Sequence, residues 1–473
     1  MFSEVDHLNE IATEGFRDRL GTVDEHGKRK WVYAQKPKGK FYNIRSFLSL
    51  FYFLLFFGTP FIQIDGRPLF LFNIPKAQFI IFSKVFWPQD FFIFGITMVT
   101  FVFFIILFTT AFGRLFCGWA CPQTNFMELM FRKVEYLILG DAAAQRRLKD
   151  QPWNTNKIIK VCLKHFVFFV LAFIISNFFL SYVIGMKELE KIITEPFSEH
   201  IGGLSAIIVF SYVFYAVYAY FREQACIVVC PYGRLQSVLM DKNSMIVAYD
   251  YKRGEPRGHI KKGEDTQAIG DCIDCFQCVR VCPTGIDIRN GVQMECVGCT
   301  ACIDACNGIM EKINKPKGLI RYASENSIAN GERLHYTKRM KFYTALCAVV
   351  LTILSCLLAT RNDVDATVMR TPGMLYQDQG IDSISNLYNI KVANKTIKEI
   401  PLTLKLEDQQ GRITLIGKPY IHVVKEGQGW GQFFITIAKK DIHKRSTPIK
   451  LGIYNGNEKI STSVTKFLGP VAE

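Results

Sequence analysis

This sequence lacks the marks of most soluble enzymes. It has no G-x-G-x-x-G and no Walker sequence, so a built-in nicotinamide or nucleotide site has no support. No general acid, base or nucleophile motif is evident. Only 8 His occur in 473 residues, and too few fall in apolar segments to supply the axial pair of a membrane cytochrome. Residues 1–42 carry no apolar h-region, which predicts that no cleavable signal peptide begins there. After Thr360 the composition changes and cysteine disappears, so residues 361–473 are not disulfide-bonded. Acidic residues are in deficit as well, 42 Asp and Glu against 57 Lys and Arg, a net charge of +15. Charge of that size fits nucleic acid or an anionic lipid leaflet equally well. Its placement decides for membrane lipid and against nucleic acid.

Long apolar runs are what the chain does have. Its 40 Phe are concentrated in a few blocks. Five blocks approach the about 20 residues a bilayer span takes: 44–64, 91–112, 161–184, 204–220 and 342–358. A block at 70–86, broken by Pro75 and Lys84, reads as interfacial or re-entrant. Lys and Arg alternate between the connecting segments: nine in 1–45, three in 65–90, eight in 113–160 and two in 185–201. That pattern predicts a multi-pass protein of a bacterial inner membrane, with the N-terminus and residues 223–340 cytoplasmic and the C-terminal domain periplasmic. The expected domains are a basic arm (1–42), four spans (43–222), a cytoplasmic region (223–340, core 268–310), a fifth span (341–360) and an exported domain (361–473). Lys28, Arg29, Lys30, Lys36, Lys38 and Lys40 make the arm read as a solvated topogenic segment.

Of 15 Cys, eight lie in two successive C-x2-C-x2-C-x3-C runs. The first is Cys272, Cys275, Cys278 and Cys282, the second Cys296, Cys299, Cys302 and Cys306. This is the two-cluster ferredoxin pattern, in which each run lends its last cysteine to the other cluster. Cys272, Cys275, Cys278 and Cys306 then hold one [4Fe–4S] cluster; Cys296, Cys299, Cys302 and Cys282 hold the second. Structural zinc uses CxxC pairs rather than triplets, and disulfides need an oxidising compartment. Pro283 follows the first run but Asn307 the second, which predicts a looser turn near Cys306.

Four further cysteines form a repeat. Phe112-Gly-Arg-Leu-Phe-Cys117-Gly-Trp-Ala-Cys121-Pro122 follows the second span, and Phe221-Arg-Glu-Gln-Ala-Cys226-Ile-Val-Val-Cys230-Pro231 follows the fourth. The offset is constant (226 − 117 = 230 − 121 = 109), as expected of duplicated helical hairpins. Cysteines four apart share a helix face, so two such pairs brought together make a four-thiolate site suited to Cu(I) or an iron–sulfur cluster. Arg114 and Arg222 are placed to lower thiol pKa values. The plainer alternative is a pair of buried helix-end cysteines with a proline stop. Met127, Met130, Met240 and Met245 read as packing rather than ligands. Cys162, Cys347 and Cys356 read as apolar fillers. His165 and His200 have no evident partner, and His422 and His443 read as surface residues.

Beyond Thr360, short alternating runs occur at 387–392, 400–406, 412–416, 420–424, 432–437 and 449–454. Turn signals separate them at Gln410-Gly411, Glu426-Gly427 and Asn455-Gly456. This predicts a small immunoglobulin-like β-sandwich. The whole reads as a multi-domain membrane protein, with five transmembrane helices, an inserted ferredoxin-like bis-[4Fe–4S] domain and a C-terminal all-β sandwich.

Taken together, the two C-x3-C-P motifs, the two ferredoxin runs and a β domain beginning near Leu387-Tyr-Asn-Ile resemble the membrane polyferredoxins of the CcoG/FixG/RdxA type, the cytochrome c oxidase accessory proteins. The resemblance covers nearly the whole chain. It implies assistance to assembly of a haem–copper terminal oxidase, with oxidase subunits or a copper carrier as partners and an unidentified electron donor. It also implies one-electron reduction of Cu(II) to Cu(I), with a copper or redox role for Cys117, Cys121, Cys226 and Cys230. Shorter quinol-dehydrogenase subunits of the NapH type share all but the sandwich. A quinol-linked electron carrier is therefore one alternative, and a non-catalytic assembly scaffold is another.

Overall fold

A computed structural model describes residues 22–470 except 24–25, 27, 76, 88–89, 197, 260–268, 333–334, 363, 374, 381, 397–398, 418–419, 426 and 443. Most of the expected N-terminal arm, Glu426 of one turn signal and His443 therefore lie outside the described residues.

Among the described residues, five helices are long and apolar enough to cross a membrane. They are α1 (Lys40–Gly58), α2 (Phe91–Phe112), α3 (Thr155–Ile184), α4 (Ile201–Ala216) and α5 (Lys338–Ala359). α3 begins before the apolar run does, because the Asn154 side chain caps it by accepting from Lys157 N at 2.8 Å. α4 continues as a π-helical turn, Val217–Phe221. α1, α3 and α4 meet around an aromatic core, where Phe131 stacks on Tyr218 (4.3 Å between centroids) and meets Phe168 edge-on (5.0 Å). Ser176 and Ser211 hydroxyls, 2.7 Å apart, tie α3 to α4 by the kind of polar contact that works between apolar helices.

The chain divides into two compact units. One runs to Ile62 and resumes over Met98–Leu351; the other joins Gln63–Thr97 to Thr352–Glu473.

In the second unit, residues 70–86 are not a re-entrant membrane piece. They form an antiparallel meander, Phe70–Asn73, Gln78–Ile81 and Lys84–Phe86, closed on Leu71, Ile80 and Val85. The interruptions at Pro75 and Lys84 are a turn and a strand start, and the apolar runs are sorted by the pleat, with Leu71, Ile80 and Val85 inward and Phe72 exposed. Buried Asp90 anchors this segment, receiving Lys395 Nζ at 2.6 Å and Arg361 Nη2 at 2.8 Å. Burial alone would raise the Asp90 carboxyl, but those two cations hold it below the usual range.

The rest of the second unit is the sandwich. Its strands are β1 (Val364–Arg370), β2 (Ser383–Asn394), β3 (Ile400–Leu406), β4 (Gly411–Leu415), β5 (Ile421–Val423), β6 (Gln428–Ala438), β7 (Ser446–Asn455) and β8 (Glu458–Leu468). One sheet runs β4-β6-β2-β1, with Gln377–Asp378 pairing β2; the other runs β5-β3-β7-β8, and all pairs are antiparallel. The inward faces close over Ile384, Ile390, Leu402, Phe433, Ile449 and Phe467. Tyr388 stacks on Phe433, and its hydroxyl donates to Lys466 O at 2.9 Å. β1 and β8 were not foreseen from the sequence. His422 is exposed beside Glu399 (3.3 Å).

Candidate iron–sulfur and thiol site

The two ferredoxin runs wrap the same way. Asp274 (φ 54°) and Phe276 (φ 57°) are left-handed in the first run; Gly298 (φ 67°) and Thr300 (φ 63°) are left-handed at the matching places in the second. One such residue between the first two cysteines, and another just after the second, turn successive thiols inward. For non-glycine residues this conformation costs about 1–2 kcal/mol each. Short helical segments follow at matching positions, Gln277–Arg280 and Ala301–Lys312.

Cys272, Cys275, Cys278 and Cys306 line one cavity. Cys282, Cys296, Cys299 and Cys302 line a second, which Cys278 also borders. These are the two sets that the ferredoxin rule pairs across the runs. The surroundings fit iron–sulfur chemistry, because main-chain amides converge on the sulfurs. Thr284, Gly285 and Ile286 serve Cys282; Gly298 serves Cys296, Ala301 serves Cys299 and Ile320 serves Cys306. Burial pushes the metal-free thiols up, to about 12 at Cys296 and Cys306 and about 11 at Cys299, so metal loading must displace protons. Arg289 adds positive charge beside the first cavity, lying 4.1 Å over the Phe276 ring and pairing with Asp287 and Asp274. The predicted looser turn near Cys306 is absent. Asn307 lies inside the continuous helix Ala301–Lys312, where proline would break the backbone ladder, and its Oδ1 accepts from Gly318 N at 2.9 Å.

The C-x3-C-P motifs repeat in three dimensions. α2 ends at left-handed Gly113 (φ 54°), and the turn after α4 ends at left-handed Arg222 (φ 50°), the position 109 residues on (222 − 113 = 109). The first cysteine of each motif then sits in a short helical segment, Leu115–Trp119 or Ala225–Val229. The second, Cys121 or Cys230, is extended and caps a new helix whose first residue is proline. The thiols converge. Cys121, Cys230 and Cys296 all act electrostatically on Cys117, and Cys121, Cys117 and Cys230 act on Cys226. The two motifs are therefore electrostatic neighbours. Cys117 Sγ donates to Gln236 Oε1 at 2.9 Å, and Phe116 meets Tyr232 edge-on (5.7 Å), so the first motif packs on the helix that follows the second.

The arginines do not activate these thiols as expected. Burial dominates and pushes Cys117 and Cys226 up to about 12, with Arg114 lowering Cys117 only in part. Arg222 is engaged elsewhere, in a two-pronged pair with buried Glu135 (3.1 and 2.9 Å). Arg114 instead donates to the carbonyls of Gly233, Met294 and Cys296, spanning the second motif and the second ferredoxin run.

Two residues missed in the sequence join this thiol group to the ferredoxin runs. Arg45, buried in α1, donates to Gly118 O (2.9 Å) and Cys299 O (2.8 Å). A cation inside an apolar span is the signal that could have flagged it. Gly118 lies so close to the second run that a Cβ there would come 2.4 Å from Gly298 O. In the described part of the basic arm Lys28, Lys30, Lys36, Lys38 and Lys40 are exposed as expected, while Arg29 pairs with buried Glu223 at 2.8 Å and Gln35 N donates to Arg280 O at 2.8 Å.

Other candidates fall away. Met127 is buried in the aromatic core, and Met240 and Met245 line a neighbouring apolar cavity. Cys162 and Cys356 are exposed on α3 and α5, and Cys347 is half-buried. His165 does have a partner, Tyr215 Oη at 2.7 Å, and His200 pairs with Glu195.

Fold and site together define a membrane iron–sulfur electron-transfer protein. Residues 221–325 match the family described as a 4Fe-4S dicluster domain, 94–140 a 4Fe-4S binding domain, and 354–470 the IG-like fold at the C-terminal of FixG. The chain is similar to RdxA of Cereibacter sphaeroides (32% identity, over 82% of this chain and 84% of that one) and to RdxB of the same organism (33%, over 79% and 81%). It is also similar to the nitrogen fixation protein FixG of Rhizobium meliloti at 36% identity; that match spans 64% of this chain and 59% of FixG. The chain belongs to the FixG/RdxA family of polyferredoxins.

Proposed function

We propose that this protein passes single electrons through its ferredoxin domain to the group Cys117, Cys121, Cys226 and Cys230, and there reduces Cu(II) to Cu(I) for assembly of a haem–copper terminal oxidase. The observation that carries this reading is the packing of the first C-x3-C-P motif against both the second motif's helix and the second ferredoxin run. Thiolates favour Cu(I) over Cu(II), so a thiol group beside an electron source favours the reduced ion.

In this reading Cys272, Cys275, Cys278 and Cys306 hold one [4Fe–4S] cluster, and Cys282, Cys296, Cys299 and Cys302 hold the other. The clusters supply one-electron relay when bound. Arg45 and Arg114 fix the carbonyls of the second run against the first C-x3-C-P motif, and Gly118 permits the close approach. Cys117 and Cys226, protonated when metal-free, release protons as copper enters, with Gln236 Oε1 receiving the Cys117 S–H beforehand. We assign residues 223–340 to the cytoplasm and the sandwich to the periplasm on the Lys/Arg alternation, and the sandwich is the surface offered to an oxidase subunit or copper carrier.

The test is anaerobic titration of the reduced, detergent-purified protein with Cu(II), following cluster absorbance and Cu(I) capture by a chelator. Stoichiometric cluster oxidation with Cu(I) release is expected. In Cys117→Ser/Cys121→Ser, iron content should persist while this reaction disappears. Clusters indifferent to copper would sink the copper assignment.

A further inference from the structure

The ferredoxin domain needs an electron source, and one cavity has the right chemistry for it. About 370 Å³ of space lies between the end of α2 and the start of α5, within the range of small-molecule sites. Leu107, Phe108 and Ala111 of α2 give it apolar walls at membrane depth. Asn243, His335 and Tyr336 give it a polar end. Phe104 and Phe112 on its rim remain partly exposed, which in a spanning helix means exposed to lipid.

The site is built rather than incidental. Ser244 Oγ donates to Thr110 O at 2.8 Å, and Met245 N donates to Ala111 O at 3.3 Å, fastening the 241–245 turn to the end of α2. Gly113 allows that contact, since a Cβ there would come 2.4 Å from Met245 O. Arg339 of α5 pairs with Asp241 at 3.2 Å. Asn326 Nδ2 donates to Asn243 Oδ1 at 2.8 Å and orients its amide. Phe112 and Met245 also border a second cavity, whose wall includes Cys296, one of the cysteines of the second ferredoxin set.

We propose that this cavity binds a membrane quinol, and that quinol is the electron donor. A ligand that partitions into lipid, presents hydroxyls to Asn243, His335 and Tyr336, and is redox-active next to a cluster ligand has the chemistry of a quinol. In becoming a quinone it loses two electrons and two protons. The two ferredoxin sites accept one electron each, and the protons pass to His335 and on to water. This rests on the electron-transfer reading of the ferredoxin domain and is independent of copper.

The experiment uses the full chain in nanodiscs under anaerobic conditions, with oxidised clusters and no copper. Ubiquinol-1 or menadiol is added and cluster bleaching is followed. Wild type is expected to be reduced by at least one of the two. Leu107→Trp/Ala111→Phe, which fills the cavity, should slow that reduction by about tenfold or more. Complete reduction of the same variant by dithionite keeps folding and cluster content in view. His335→Ala should also slow quinol oxidation while leaving dithionite reduction unchanged. Failure of both quinols to reduce wild type, or equal rates in wild type and the filled variant, would overturn the proposal. Because copper is absent, neither result bears on Cu(II) reduction.

Discussion

The two C-x3-C-P repeats share a frame and differ in what they touch. Both place a left-handed residue four positions before the first cysteine and a proline after the second. In the first repeat the left-handed residue is Gly113, and Gly118 follows the first cysteine. In the second, the equivalents are Arg222 and Ile227 (118 + 109 = 227). The first repeat has given up side chains so that two backbones can meet it, the 241–245 turn at Gly113 and the second ferredoxin run at Gly118. The second keeps side chains, burying Ile227 and holding Arg222 in its unfavourable conformation by an ion pair with Glu135. The repeat supplies four thiols; the two glycines decide which motif meets the ferredoxin run.

The largest effect should come from Arg222→Leu. It leaves Glu135 buried with only Lys164 (3.8 Å) and the charge of Arg132 to offset it, a loss of about 3–5 kcal/mol for a broken buried pair. A thermal melt of the solubilised protein, read beside Gly113→Ala, would show whether the second repeat is held by charge as the first is by space. Equal shifts from Arg222→Leu and Arg222→Lys would break that contrast.

Gly118→Ala comes next. Its Cβ would overlap Gly298 O, so the second ferredoxin run must move, and iron content should fall by up to half as one of two clusters is lost. Ile227→Ala at the equivalent place should cost about 2–5 kcal/mol of packing with iron content unchanged. Iron analysis of the two purified variants decides it.

Gln236→Ala should be milder, about 0.5–1.5 kcal/mol for the lost Cys117 hydrogen bond. Chemical denaturation of the metal-free protein measures it.

The smallest effect is in pH. Burial would raise the Glu135 carboxyl, but Arg222, Lys164 and Arg132 hold it below the ordinary value. A depressed carboxyl stabilises fully above its unfolded pKa, about 4.3, and the contribution is lost as pH falls through the lower folded value. Trp31, between Arg29 (4.3 Å) and Arg222 (4.9 Å), is the reporter. Its fluorescence should change on acidification in wild type and not in Glu135→Gln.

Much of this was legible from spacing alone. Eight cysteines at fixed intervals dictate a fold because few backbone paths bring them together, and the structure groups them as the intervals require. The five spans were readable because lipid forces length and apolarity together. The re-entrant reading of residues 70–86 failed because an aromatic-rich meander and a broken span have the same composition, and only pairing separates them. β8 was hidden by its sequence, Glu-Lys-Ile-Ser-Thr-Ser-Val-Thr-Lys-Phe-Leu, which is polar because it edges its sheet. Arg45, Gln236 and the close approach of Gly118 depend on contacts across the fold, which no local pattern encodes.

Arg45 also sets a timetable. Its partner Cys299 O lies 254 residues further along the chain. During synthesis the first span emerges with its guanidinium unmatched; Gly118 O follows after one more span, but Cys299 O only after three more spans and the first cysteine run. Closure of the ferredoxin domain on the first span is therefore a late step in biogenesis. Metal delivered before that moment meets cysteine loops without their inner wall.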